Sequence, residues 1–119
     1  MIKRTVLDFR IQTDPWSTID SWAQQSGYRF KQESGANRLY EKSIGIMMPM
    51  MLQIQQAGDQ LHLEAWVRGT RLTQISSLFL NPAEIGIESG ADFRAAIPRK
   101  IARNDVNELL KSLGIPPIA

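Results

Sequence analysis

His62 is the chain's one histidine, and Glu64 follows two positions later. Residues two apart on a strand share a face, so a carboxylate stands beside the imidazole and could orient it as a base. The pair has nothing to activate: no serine lies in a nucleophile-elbow pattern, and there is no cysteine. A solvated strand histidine is the plainer account. One histidine with scattered carboxylates is also too little for catalytic zinc, which takes three convergent ligands. Neither of the glycine patterns that cradle nucleotide phosphates occurs. No catalytic residue, cofactor or metal is therefore assigned.

Two other clusters could bind without catalysing. Ile46-Met47-Met48-Pro49-Met50-Met51 is rich in flexible, polarizable thioethers, which suit an adaptable apolar surface. Thioethers also take Cu(I), but His62 is far along the chain, so core filling or an interaction surface of Met47, Met51 and Trp66 is the better reading. From Phe93 to Arg103, the cations Arg94, Arg99, Lys100 and Arg103 fall between Asp92 and Asp105 with no acid among them. Placed before a helix start, they could hold a phosphate or carboxylate through charge and free amides together. The alternative is a solvated basic face balanced by Glu84, Glu88 and Asp92. Nucleic acid is disfavoured, because only Phe93 is interleaved with the bases.

These residues need elements to place them. Leu52 and Ile54 alternate with Gln53 and Gln55, Gly58-Asp59 interrupts, and Leu61, Leu63, Ala65 and Val67 alternate with His62, Glu64 and Trp66. Period-two patterning on both sides of a Gly-Asp pair predicts a hairpin over 44–67. A two-residue loop pairs Ile54 with Leu63 and Leu52 with Ala65 on one face. The other face then sets Met51 opposite Trp66, Gln53 opposite Glu64 and Gln55 opposite His62. Pro49 cannot donate to a ladder, which makes its strand an edge or a bulge there.

Thr5 to Ile11 alternates as a strand, and Thr13-Asp14-Pro15 caps a helix over 15–26 that ends at Gly27. Tyr28 to Lys31 and Arg38 to Lys42 read as strands around a turn at Ser34–Asn37. Arg71 to Phe79 reads as another strand, although Leu72, Ile75, Leu78 and Phe79 would also suit a helical face. Asn81 to Pro98 reads as a long irregular loop, of the kind that is often functional. Asn104 or Asp105 then caps a final helix with Val106, Leu109, Leu110 and Leu113 as its apolar stripe and Gly114 at its end. Trp22, Leu109 and Leu113 are expected in the core.

The fold class expected is α+β: a single two-layer domain over 1–119, with an antiparallel sheet of about five or six strands and both helices on one face. At 119 residues the chain is long enough to bury a core without metal or disulfide. Net charge is only +2, so bulk charge implies no nucleic-acid partner. Asp8, Arg10 and Gln12 interrupt any signal-peptide core, and no apolar run approaches a membrane span, so the cytoplasm is the default location. Ile97 to Leu110, with the Gly114–Pro117 ending and the Trp22–Gly27-Tyr28 segment, resembles a small uncharacterised bacterial domain with no assigned function. That resemblance implies a recurring fold and transfers no catalytic residue.

The function expected is a non-enzymatic binding or protein-interaction module using the open sheet face. Its partner would be a protein or a small apolar ligand, with a weak homodimer through Met51 and Trp66. The alternative is an anion, lipid-headgroup or nucleic-acid binder acting through residues 94–103.

Overall fold

The computed structural model describes residues 4–45, 48–68, 84–88 and 96–119. Its elements run β1 (Thr5–Arg10), α1 (Trp16–Ser26), β2 (Arg29–Ser34), β3 (Asn37–Lys42), β4 (Met50–Ala57), β5 (Gln60–Arg68), β6 (Glu84–Gly86) and α2 (Ala96–Ser112). The protein is α+β. Its antiparallel strands lie in the order β1-β5-β4-β3-β2, with β6 also on β5. No helix among the described residues is long and apolar enough to cross a membrane.

The hairpin forms in the register its alternation requires. Ile54 faces Leu63, Leu52 faces Ala65, Met51 faces Trp66, Gln53 faces Glu64 and Gln55 faces His62. Gly58 takes φ +62° in the two-residue turn, a conformation that is easy only without a Cβ. Pro49 lies just ahead of β4, where its missing N–H costs nothing, and its carbonyl accepts from Arg68. β5 outruns β1: residues 60–65 pair with β1, and residues 66–68 pair with β6 along the same edge. The Thr5 hydroxyl joins the two short strands, accepting from Ile87 N and donating to Glu88 Oε1, 2.8 Å each.

One face of this sheet carries Leu52, Ile54, Leu61, Leu63, Ala65, Val67 and Tyr40. Ile19, Trp22 and Ala23 of α1, and Ala102, Val106, Leu109 and Leu110 of α2, pack against it in one core. The two helices also meet through Trp22 Nε1, which donates to the Asp105 carbonyl at 2.7 Å. Trp22 and Leu109 are buried as expected, whereas Leu113 is only partly covered. α1 ends at Gly27 in the left-handed region, and α2 ends at Gly114, where Ile115 N reaches back to the Leu110 carbonyl.

Three expectations change. Asn81–Pro98 is not a continuous irregular loop, since β6 lies inside it and α2 begins at Ala96. Pro98 falls in the first turn of α2, where a missing N–H breaks no intrahelical bond, so proline there does not mark a loop. Asn104 and Asp105 are consequently interior to α2 and do not cap it; the Asp105 carboxylate instead accepts from Lys42 at 2.7 Å. The strand-or-helix segment 71–79 lies outside the described residues.

Candidate functional site: the sheet face opposite the helices

Strand pleating turns Asp8, His62, Glu64, Trp66, Met51, Gln53, Asn37 and Leu39 away from the helices. His62 and Glu64 share that face, as their spacing requires. The third member is Asp8, which β1 brings directly opposite His62. Asp8 Oδ1 lies 2.6 Å from His62 Nδ1, and Glu64 Oε2 lies 2.7 Å from Nε2. Glu64 Oε1 in turn accepts from Arg4 at 2.9 Å, and Arg4 also donates to Gln53 Oε1 at 3.2 Å. With the imidazole protonated, the result is a row of alternating charge running Asp8, His62, Glu64, Arg4 along β1, β5 and the residue before β1.

Hydrogen bonds donated to Asp8, and then to Glu64, raise the His62 pKa above its usual 6.5 and outweigh a partial loss of solvation. Burial pushes the Glu64 carboxyl up, but hydrogen bonds from His62 and Arg4 and their charges together hold it below its ordinary value. When protonated, the imidazole is bonded through both nitrogens and has no lone pair with which to take a proton. In that state the arrangement positions charge.

The apolar pair expected to stand exposed on this face does not. Met51 is 6% exposed and Trp66 5%. The Arg4 guanidinium lies 3.7 Å from the centroid of the Trp66 ring, a cation–π contact that caps the indole. Met51 sits in register between Trp66 and Glu41, and Glu41 is held by Lys31 and Arg68 at 3.3 and 3.6 Å. A long charged side chain thus covers part of Trp66, as such side chains commonly do. Met47 lies outside the described residues. Asp8, Gln32 and Gln55 make the exposed part of this face mainly polar, with Val6 an exposed apolar residue on it.

Beside the charged row is a small niche of 130 Å³ lined by Gln32, Ser34, Asn37, Leu39 and Gln53. Among the described residues, Asn37 Oδ1 is buried there without a hydrogen-bond partner. Buried acceptors are nearly always satisfied, so this one is met at the niche by a donor from water or from an incoming group. Gln53 belongs to both features, lining the niche and accepting from Arg4. No signal in the sequence singles out Asn37, because its burial depends on the β3–β4 pairing.

The basic window has a different arrangement from the one expected. Arg99 is only 5% exposed; its Nε donates to the Gly86 carbonyl at 2.7 Å and its Nη2 to the Glu88 carbonyl. Arg103, one turn later, donates to the Ile87 carbonyl at 3.1 Å. These two arginines therefore tie α2 to the strand end of β6 and do not form a solvated face. Their charges lie near a helix start with no acid in its first turn, which the dipole disfavours; the β6 carbonyls offset that cost. Lys100 is exposed and Arg94 lies outside the described residues, so the structure does not show the four converging. Among the described residues, no group of three or more His, Cys, Asp or Glu side chains is placed to hold a metal.

A scan against protein-family models, a search of the curated proteins and a search of the solved structures each found no match to this chain.

Proposed function

We propose that this protein is a non-enzymatic protein-interaction module and that its binding surface is the sheet face opposite the helices. The observation that carries this reading is the unpartnered Asn37 acceptor at a niche that adjoins a pre-arranged row of charge. Side chains bonded to one another, as Glu64, Arg4 and Gln53 are, give up little entropy when a partner arrives, which favours recognition by position and charge. The partner this face suits is a protein segment that brings a hydrogen-bond donor to Asn37 and charge complementary to the Arg4–Asp8 row. The burial of Met51 and Trp66 removes support from an apolar ligand or an apolar homodimer patch. The use of Arg99 and Arg103 on backbone carbonyls likewise lends little to an anion, lipid-headgroup or nucleic-acid site at 94–103.

The test is quantitative affinity capture from the source cells with wild-type protein and matched variants. Asp8→Lys and Gln32→Lys change the proposed face, and Gln24→Lys changes the exposed side of α1. Capture of a shared partner should fall about tenfold or more for the first two, the scale of one misplaced charge. It should stay at the wild-type level for the third. A partner held equally by all of them would place binding elsewhere.

A further inference from the structure

We infer that His62 is a pH-sensitive pin fastening the edge strand β1 to β5, closed when the imidazole is protonated and open when it is neutral. The inference stands on geometry and holds whether or not this face carries a partner. Both ring nitrogens face carboxylate oxygens, Asp8 at 2.6 Å and Glu64 at 2.7 Å. An imidazolium has two N–H donors and satisfies both contacts, while a neutral imidazole has one donor and must set a lone pair against the other carboxylate. Loss of the proton therefore breaks one of the two bonds and leaves two carboxylates against one Arg4.

The bond that breaks is set by the surroundings. The Glu64 side chain is 23% exposed and keeps Arg4 on its other oxygen. The Asp8 side chain is 71% exposed and turns into water at little cost. The neutral ring thus retains Glu64 and releases Asp8. Asp8 and His62 are the cross-strand partners at the middle of the β1–β5 ladder, so the lost contact is one between the strands. Among the described residues, β1 is attached to the sheet through β5 alone, and its inward residues Leu7 and Phe9 pack against the core but are only partly buried, so the pin adds to a modest apolar contact.

Every charged group near the ring acts on this equilibrium. β1 contributes Asp8 and, one same-face step further, Arg10. β5 contributes Glu64, with Arg4 behind it. β4 sets uncharged Gln55 opposite the ring and Gln53 beside it. The two carboxylates at hydrogen-bond distance outweigh the more distant cations, and the ring holds its proton above the usual 6.5. The pin's contribution is fully present below the free-histidine value and is lost as pH rises through the higher folded value.

His62 is the chain's one histidine, so its ring protons give an unambiguous NMR titration. The expected result is a midpoint above that of free histidine, lowered in both Asp8→Asn and Glu64→Gln. Exchange protection of the β1 amides, corrected for intrinsic rates, should step down across the same midpoint while protection of β4 amides stays level. His62→Gln, checked for native fold by circular dichroism, should lose that step. A midpoint at or below the free value would overturn the inference. So would β1 protection that ignores the titration, or a step that survives in His62→Gln.

Discussion

Arg99 shows how one side chain can join two elements. Its guanidinium is buried and donates to the carbonyls of Gly86 and Glu88, at the end of a three-residue strand. Removing it deletes two charge-assisted bonds to covered carbonyls. Arg99→Ala should therefore cost roughly 2–4 kcal/mol in a denaturant melt, far more than a solvated arginine would. Lys100→Ala, exposed one residue later, should cost near zero and serves as the control. The two tyrosines give a second residue-scale expectation. Burial, and then the Asp105 charge, push the Tyr28 hydroxyl well above 10, while burial pushes Tyr40 up despite a hydrogen bond from Arg38. Folded pKa values above the unfolded 10 mean stability that is present below pH 10 and lost as pH rises beyond it. Phenolate absorbance should accordingly appear with alkaline unfolding and not before it; a titration of both tyrosines near 10 in the folded protein would contradict this. Legibility also differed residue by residue. His62 and Glu64 could be paired from spacing alone, because both lie on one strand. Asp8 could not, because its place beside His62 depends on β1 lying next to β5, a contact across more than fifty residues of chain. Arg99 was hidden for another reason: a charged residue is read as solvated unless its buried partners are known, and these are backbone carbonyls that carry no sequence signal.

At the scale of elements, local rules were legible wherever one turn decided the outcome. Gly58-Asp59 set the register of β4 against β5, and Gly27 and Gly114 ended the helices. The start of α2 was not legible, because Asn104, Asp105 and Pro98 each resemble a boundary, and only docking onto β5, β4 and α1, with the Arg99 bond to β6, decides among them. The energetic consequences can be measured. Leu109 is fully buried in the core, so Leu109→Ala should cost about 2–5 kcal/mol, whereas the partly covered Leu113 should cost less under the same truncation. Equal losses would mean that the end of α2 packs more deeply than described. Gly27 has φ +84°, and a Cβ there would meet Lys42 Cε at 3.7 Å, an ordinary contact. Gly27→Ala should therefore cost about 1–2 kcal/mol through backbone strain alone, and a thermal melt with no loss would show that the turn relaxes.

For the whole molecule, the separation of labour between the sheet faces is the main result. One face and both helices form the apolar core; the other holds a polar niche and a charged row built from residues widely separated in sequence. The two-layer α+β arrangement was legible because capped helices and alternating strands leave few ways to bury their apolar sides. The character of the outer face was not, since Met51 and Trp66 read as an exposed apolar patch until Arg4 is seen over the indole. The outer face is the proposed binding surface. A photo-crosslinking residue at Gln55, exposed on the outer face beside His62, and another at Gln24, exposed on α1, test it directly in the source cells. The expected result is a discrete crosslinked protein from position 55 that Asp8→Lys removes, and none from position 24. A discrete product from position 24 with nothing from position 55 would contradict it.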